Sequence, residues 1–241
     1  PDHPKGLYEP IAYVLSMGGK RIRPVFLLLS HQLFSVPSEK ALKAAVALEM
    51  FHNYTLLHDD LMDNADKRRD RSTVHKKWNA NTAILSGDAM LEVACQRMFE
   101  ATQGCSAAMQ AFLKTTIEVS EGQQYDMDFE TRMDVSEDEY LEMIRLKTSV
   151  LLAASLKIGA LLADAPDFDA DSLYDFGINL GMAFQLRDDL LDVYGDPKVF
   201  GKKVGGDILC NKKTYLLIQA LHRSDPRQLE QLMSWLHAEA Y

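Results

Sequence analysis

From about residue 5 to residue 238 the apolar side chains recur at three- and four-residue intervals, and almost nowhere do they alternate in the two-residue rhythm of a strand. A chain patterned in this way buries its apolar stripes helix against helix, so the fold class is all-α. Gly, Pro, Ser and Asp punctuation divides the pattern into helices at about 5–16, 22–34, 39–63, 79–102, 105–125, 137–163, 170–194, 211–223 and 226–238. Two starts carry local signals. Ser136 with Glu139 three residues on makes a capping box, and Ser38 stands after Pro37 as the N-cap of an Ala- and Leu-rich run. Most connections are short, which makes neighbouring helices antiparallel. Two are longer: 64–78, dense in Asp, Lys and Arg, and 195–210, with five glycines or prolines at Gly195, Pro197, Gly201, Gly205 and Gly206. Loops of that length usually carry function. Neither a linker nor a tandem repeat is visible, so the expectation is a single-domain helical bundle over residues 1–241 around a central cavity. The chain opens at Pro1 without a Met, and its true ends are left open.

Composition excludes several classes. Among 241 residues, 26 Lys and Arg stand against 35 Asp and Glu, a formal charge of −9 that argues against a general nucleic-acid binder. Cys95, Cys105 and Cys210 are far apart and lack CxxC spacing, which signals neither a disulfide framework nor a zinc site and suits a reducing, cytoplasmic setting. No apolar run approaches the roughly 18 residues of a membrane span, and no charged-then-apolar leader is present.

The acids are unevenly placed. LLHDDLMD carries Asp59, Asp60 and Asp63 near the end of the helix at 39–63, and FQLRDDLLD carries Asp188, Asp189 and Asp192 near the end of the helix at 170–194. Both read DDxxD. On a helix the outer aspartates share one face at i, i+4 and repel by about 0.2–0.5 kcal/mol when exposed, and by far more in apolar surroundings. One such motif would be an ordinary solvated helix end; two, on two long apolar helices, imply that a cation binds. Hard oxygen donors without nearby Cys select Mg²⁺ or Mn²⁺, which takes one or two carboxylates and completes its shell with phosphate and water. Stepping back from Asp59 by helical turns gives Thr55 or Leu56 and then His52, a polar line in an apolar helix, and Gln185 stands similarly before Asp188.

Cations mark where an anion would sit. GGKRIRP places Lys20, Arg21 and Arg23 at a loop-to-helix junction with Pro24 in the first turn, where positive charge opposes the helix dipole unless an anion intervenes. Lys67, Arg68 and Arg69 follow the first DDxxD, and Arg suits bidentate phosphate contact.

GGKRIRP, HDDLMD, the KRR at 67–69, Gly87–Asp88, GQxxD from Gly122 to Asp126, KTS from Lys147 to Ser149, FQLRDDLLD and FGKKVGGD run in this order from about residue 18 to 214. In this the chain resembles the trans-type isoprenyl diphosphate synthase, or polyprenyl synthetase, family. The resemblance implies the isoprenoid synthase fold and a prenyl transfer. An allylic diphosphate ionises, the double bond of isopentenyl diphosphate attacks the cation, and a proton is lost. It implies three Mg²⁺ ions bridged by substrate diphosphate, with Mn²⁺ an alternative. Asp59, Asp63 and Asp188 would be the principal ligands, and Asp60, Asp189 and Asp192 secondary or water-mediated ones. Lys20, Arg23, His52 and Arg69 would bind isopentenyl diphosphate. Arg68, Lys147 and Lys202 would contact the allylic diphosphate, Thr148 and Gln185 would lie beside the developing cation, and Lys212 would be a further basic position. A homodimer is implied as well.

The physical chemistry suits this division. Metal and guanidinium neutralise a departing diphosphate, whereas the cation needs a dry site with neutral dipoles. Three departures stand out. Asp70 occupies a position where the family usually has Gly, Asn211 stands where Gly commonly precedes Lys212, and the chain is shorter than most members.

Tyr54, five residues before Asp59, and Phe51 one turn further, with small Thr55 beside them, would form the floor under a growing tail. By the resemblance an aromatic there goes with C20 or C15 products; C20 geranylgeranyl diphosphate is the expectation, and C15 farnesyl diphosphate or a longer product the alternatives. Other readings are a terpene cyclase, which would usually lack the second DDxxD, and a non-catalytic regulatory subunit, which would lack one acidic motif. A di-iron carboxylate protein is suggested by Glu49 and His52, but that architecture needs a second such pair.

Overall fold

The computed structural model describes residues 3–196, 205–210 and 212–236. In chain order the helices are α1 (Lys5–Leu15), α2 (Ile22–Phe34), α3 (Glu39–Met62), α4 (Val74–Lys77), α5 (Ala80–Ala101), α6 (Ser106–Thr131) and α7 (Glu137–Ile144). A π-helical turn (Arg145–Ser149) leads into α8 (Val150–Leu162), followed by α9 (Asp167–Tyr194), α10 (Gly206–Leu209), α11 (Tyr215–Arg223) and α12 (Pro226–Leu236). The chain is all-α as the periodicity requires. It divides into two compact units: Pro1–Leu113 with Ala154–Tyr174, and Lys114–Ala153 with Asp175–Tyr241.

Both predicted caps form. The Ser38 hydroxyl accepts from the Ala41 amide at 3.2 Å, and Ser136 and Glu139 make a reciprocal capping box at the start of α7. Several boundaries move. α6 continues to Thr131, six residues past the expected end, because its polar last turns still present Phe129 to an apolar cluster. The segment expected as one helix at 137–163 is broken by the π-helical turn, and α11 starts at Tyr215, where Thr214 caps it, rather than at 211. The expected loop at 64–78 holds a small antiparallel ribbon, β1 (Lys67–Arg68) with β2 (Arg71–Ser72), and then α4. Its two turn residues, Arg69 and Asp70, both have positive φ, at 52° and 61°. That is the pattern of a type I′ hairpin, which usually advertises itself as Asn-Gly; Arg-Asp hides it.

In the first unit α3 packs against α5, and both helices bury small side chains, Ala41, Ala44, Ala45 and Ala47 on one and Ala83 and Ala94 on the other. Leu48, Phe51, Met90 and Met98 fill the remaining space, each buried large side chain contributing about 1.5–3 kcal/mol. The Asp-bearing end of α3 is held by a second cluster in which Ile11 and Val14 of α1 meet Leu57, Val74, Ala83 and Met90. In the second unit Phe129, Val135, Tyr140, Met143, Ile144 and Ile218 form the core beneath α7 and the π-helical turn. Gly122 explains how close α6 comes to that turn: a Cβ there would overlap the Lys147 backbone nitrogen.

Candidate active site

The first unit gathers most of its arginines at one place. The Tyr13 hydroxyl donates to the Ser72 carbonyl at 2.9 Å, and Arg71 donates to the Ser16 hydroxyl at 2.9 Å while covering the Tyr13 ring. The ribbon is thereby pinned to the end of α1. At its tip, Arg69 donates to the Gly18 carbonyl and lays its guanidinium on Gly19, whose φ of 131° and missing Cβ leave room for it. The GGKR loop and the KRR hairpin are thus one structure.

Beside them, Arg21 pairs with Glu49, which also accepts from the Asn53 amide at 3.0 Å. Arg23 reaches the His52 ring at 3.1 Å, and its Nε is buried with no partner. Burial lowers the Arg23 pKa to about 10 despite Glu49. Burial, and then the guanidiniums of Arg23, Arg69, Arg68 and Arg21, hold His52 well below its usual value, so its ring stays neutral at pH 7. An orphaned guanidinium nitrogen beside further guanidiniums leaves uncompensated positive charge, the electrostatic signature of an anion site. The same facts remove the di-iron reading: Glu49 is committed to Arg21, and a cation at His52 would face arginines.

Asp59, Asp60 and Asp63 lie at the end of α3. Asp60 is 5% exposed and accepts from Arg68 Nε at 2.8 Å, while Arg68 Nη2 stands 3.7 Å from Asp59. Burial pushes Asp60 up to about 6 against the pull of Arg68. Asp63 caps the helix, its amide donating to the Asp59 carbonyl at 2.9 Å. Arg68, assigned by resemblance to a diphosphate, is here the counter-ion of the acidic motif itself.

In the second unit, Lys147 Nζ lies 2.5 Å from Asp126, and Lys212 Nζ lies 3.6 Å from the same carboxylate. Burial would raise Asp126, but the two lysines outweigh it and hold it below its usual value. The next residue in the π-helical turn, Thr148, donates to Gln185 Oε1 at 3.1 Å, and Gln185 Nε2 donates to Asp189 Oδ1 at 2.9 Å. The other Asp189 oxygen accepts from the buried Tyr140 hydroxyl. Asp192 accepts from the Asp207 amide at 3.1 Å. The Asp207 carboxyl itself is pushed up to about 6, first by burial and then by Asp192 and Asp189.

Arg23, His52, Arg68 and Arg69 are therefore brought together in the first unit, where Lys20 is exposed on the same loop. Lys147, Lys212, Thr148, Gln185, Asp188, Asp189 and Asp192 belong to the second. Lys202 and Asn211 lie outside the described residues. Phe51 is buried, its ring 5.6 Å from Phe112 and 5.6 Å from Tyr54, whose half-buried ring also meets His58 at 4.8 Å. Thr55 turns its hydroxyl back to the His52 carbonyl at 2.8 Å. Sequence reasoning missed the working parts of Glu49, Asn53, Asp126, Tyr140 and Asp207. Asp126 and Asp207 stood inside quoted motifs, while Tyr140 had no signal beyond a core aromatic.

The donor set suits a hard divalent ion, being carboxylate throughout, with Asp60 and Asp189 both raised by burial. Among the described residues no three His, Cys, Asp or Glu side chains converge to hold a metal by themselves. An ion with one or two protein carboxylates and phosphate oxygens for the rest fits that arrangement.

A family model described as polyprenyl synthetase matches residues 4–240. The geranylgeranyl diphosphate synthase of Sulfolobus acidocaldarius is 45% identical over 225 residues, 91% of this chain and 68% of that protein. That of Saccharolobus solfataricus is 40% identical over 237 residues, 96% of this chain and 71% of its own. A crystal structure of a geranylgeranyl pyrophosphate synthase matches with a TM-score of 0.93 at 50% identity, covering 99% of this chain and 72% of that one.

Proposed function

Since this chain belongs to the polyprenyl synthetase family, we propose that it is a prenyltransferase that condenses isopentenyl diphosphate with dimethylallyl, geranyl or farnesyl diphosphate and releases C20 geranylgeranyl diphosphate, the product named for its relatives. The observation that carries this reading is Arg23, whose buried, unpartnered Nε beside a neutral His52 asks for an anion. Arg23, His52, Arg69 and Lys20 bind the diphosphate of isopentenyl diphosphate. Asp59, Asp63 and Asp188 are the principal Mg²⁺ ligands, with Asp60, Asp189 and Asp192 behind them. When bound, the divalent ion neutralises charge that builds on the departing diphosphate. Arg68, Lys147, Lys212 and Lys202 add positive charge to that leaving group, with Asp126 holding the heads of Lys147 and Lys212 ready. Thr148 and Gln185 offer neutral oxygen dipoles to the allylic cation without capturing it as a nucleophile would.

Tyr54, braced by Phe51 and His58, is the floor that halts elongation, with Thr55 leaving space above it. The apolar side chains of α5 that remain exposed, Ile84 at 44%, Leu85 at 61% and Phe99 at 60%, support pairing with a second copy. Among the described residues no helix is long and apolar enough to cross a membrane, and with three free cysteines a cytoplasmic homodimer is our reading.

Labelled isopentenyl diphosphate incubated with Mg²⁺ and each of the C5, C10 and C15 primers tests this directly. The expected product is C20 from every primer accepted, and Tyr54→Ala should lengthen it by one or more isoprene units. Absence of any extension would leave the cyclase and regulatory readings in its place, and an unchanged ladder in Tyr54→Ala would remove Tyr54 as the floor.

A further inference from the structure

Within the second unit, four side chains form one unbroken hydrogen-bond line. Tyr140 donates to Asp189, Gln185 Nε2 donates to the other oxygen of Asp189 at 2.9 Å, and Thr148 donates to Gln185 Oε1 at 3.1 Å. The direction of this line follows from chemistry. An ionised carboxylate only accepts, so the amide atom facing Asp189 must be the NH₂ group, and the carbonyl must face the opposite way. Were Asp189 replaced by a group that could donate, or by none, the amide could turn over and present its NH₂ beside Thr148. That edge is positive, and an allylic cation would meet repulsion where it now meets a carbonyl lone pair.

Asp189 is well placed for this task and poorly placed for ligation. It is 4% exposed, both oxygens are occupied, and the Tyr215 backbone amide adds a further favourable dipole. Tyr140, 2% exposed, is held one turn into α7 by the capping box of Ser136 and Glu139, itself clamped by Arg132 at 2.8 Å. The brace thus runs from a helix cap through a buried phenol and a carboxylate to the amide.

Resting on the prenyl-transfer reading, we propose that Tyr140 and Asp189 are positioning residues that set the orientation of the Gln185 amide, so that Oε1 is the atom offered with Thr148 to the developing cation, and that Asp189 acts through this brace and not as a direct metal ligand. The phenol keeps the carboxylate turned toward Gln185, and the carboxylate keeps the amide from flipping.

Three variants test it: Tyr140→Phe, Asp189→Leu, and the pair together. The double variant removes both buried polar partners and leaves shapes close to the originals, the exchange least costly to folding. Turnover should fall about 10²-fold in Asp189→Leu and in the double variant, and about 10-fold in Tyr140→Phe. KM for both substrates should stay within about threefold, since binding contacts are intact. Mg²⁺ affinity, measured by calorimetry with an unreactive allylic thiolodiphosphate, should likewise stay within about threefold. The side-chain amide resonances of Gln185, followed by NMR in the unliganded protein, should shift and lose exchange protection when Asp189 is replaced. A tenfold or greater loss of Mg²⁺ affinity in Asp189→Leu would overturn the proposal in favour of direct ligation, and so would Gln185 resonances that do not move. The NMR readout stands even if the wild-type chain extends no primer, which would overturn the assigned activity and leave the brace itself measurable.

Discussion

Asp60 and Asp189 hold the same place in their DDxxD motifs and are equally hidden, 5% and 4% exposed, yet they are satisfied in opposite ways. Asp60 has a charged partner, Arg68, and the charge of Arg69 also reaches it. Asp189 has neutral partners, a phenol and an amide, while Lys147 and Lys212 of its unit are drawn to Asp126. A motif read as five letters therefore does two jobs. Where guanidiniums surround it, the carboxylate belongs to a charge balance that an incoming anion and its metal can rearrange. Where neutral dipoles surround it, the carboxylate orients its neighbours, and the groups offered to the cation are themselves neutral, as a carbocation requires.

The largest effects should come from the outer aspartates, where the two motifs are proposed to act alike. Asp59→Ala and Asp188→Ala should each lower turnover by about 10²–10³-fold and raise the Mg²⁺ concentration for half-maximal rate. Steady-state kinetics across a Mg²⁺ series decide this, and a large loss in only one of them would break the symmetry. The inner positions should then separate. Arg68→Met keeps the apolar stem and removes the charge beside Asp60, and urea denaturation at pH 7 should show a loss of about 1.5–3 kcal/mol that 0.5 M salt scarcely changes, because the pair is partly buried. Stability equal to wild type would mean that the guanidinium is not the counter-ion of Asp60. The smallest effect concerns His52, which the arginines keep neutral below its ordinary pKa of 6.5. The unfolded chain then binds a proton that the folded chain refuses, so stability falls as pH drops through 6.5, by at most about 1.4 kcal/mol per pH unit. His52→Asn should flatten that part of the profile between about pH 7 and pH 5; a profile as steep as wild type would show that His52 is protonated in the fold.

Much of this was open to a reader of the chain. The helical period named the fold class, Ser38 and the Ser136–Glu139 pair located two helix starts, and the acidic and basic motifs pointed to diphosphate and metal. The misses share a cause. Arg69–Asp70 turns a hairpin without the usual Gly, held by Tyr13 and Ser16 from more than fifty residues away. The π-helical turn at Arg145–Ser149 lies so close to Gly122 of another helix that a Cβ there would strike its backbone. Tyr140 is, locally, one apolar position in an amphipathic helix, and its hydroxyl acquires a purpose only when α9 brings Asp189 against it.

Periodicity and spacing act over one or two helical turns, so the chain alone determined which segments are helices, which faces are apolar, and that each acidic motif sits on one helical face. That Asp60 is satisfied by Arg68, 8 residues away, and Asp189 by Tyr140, 49 residues away, is beyond that reach. Only packing decided that, because a buried charge takes whichever donor the folded core places against it.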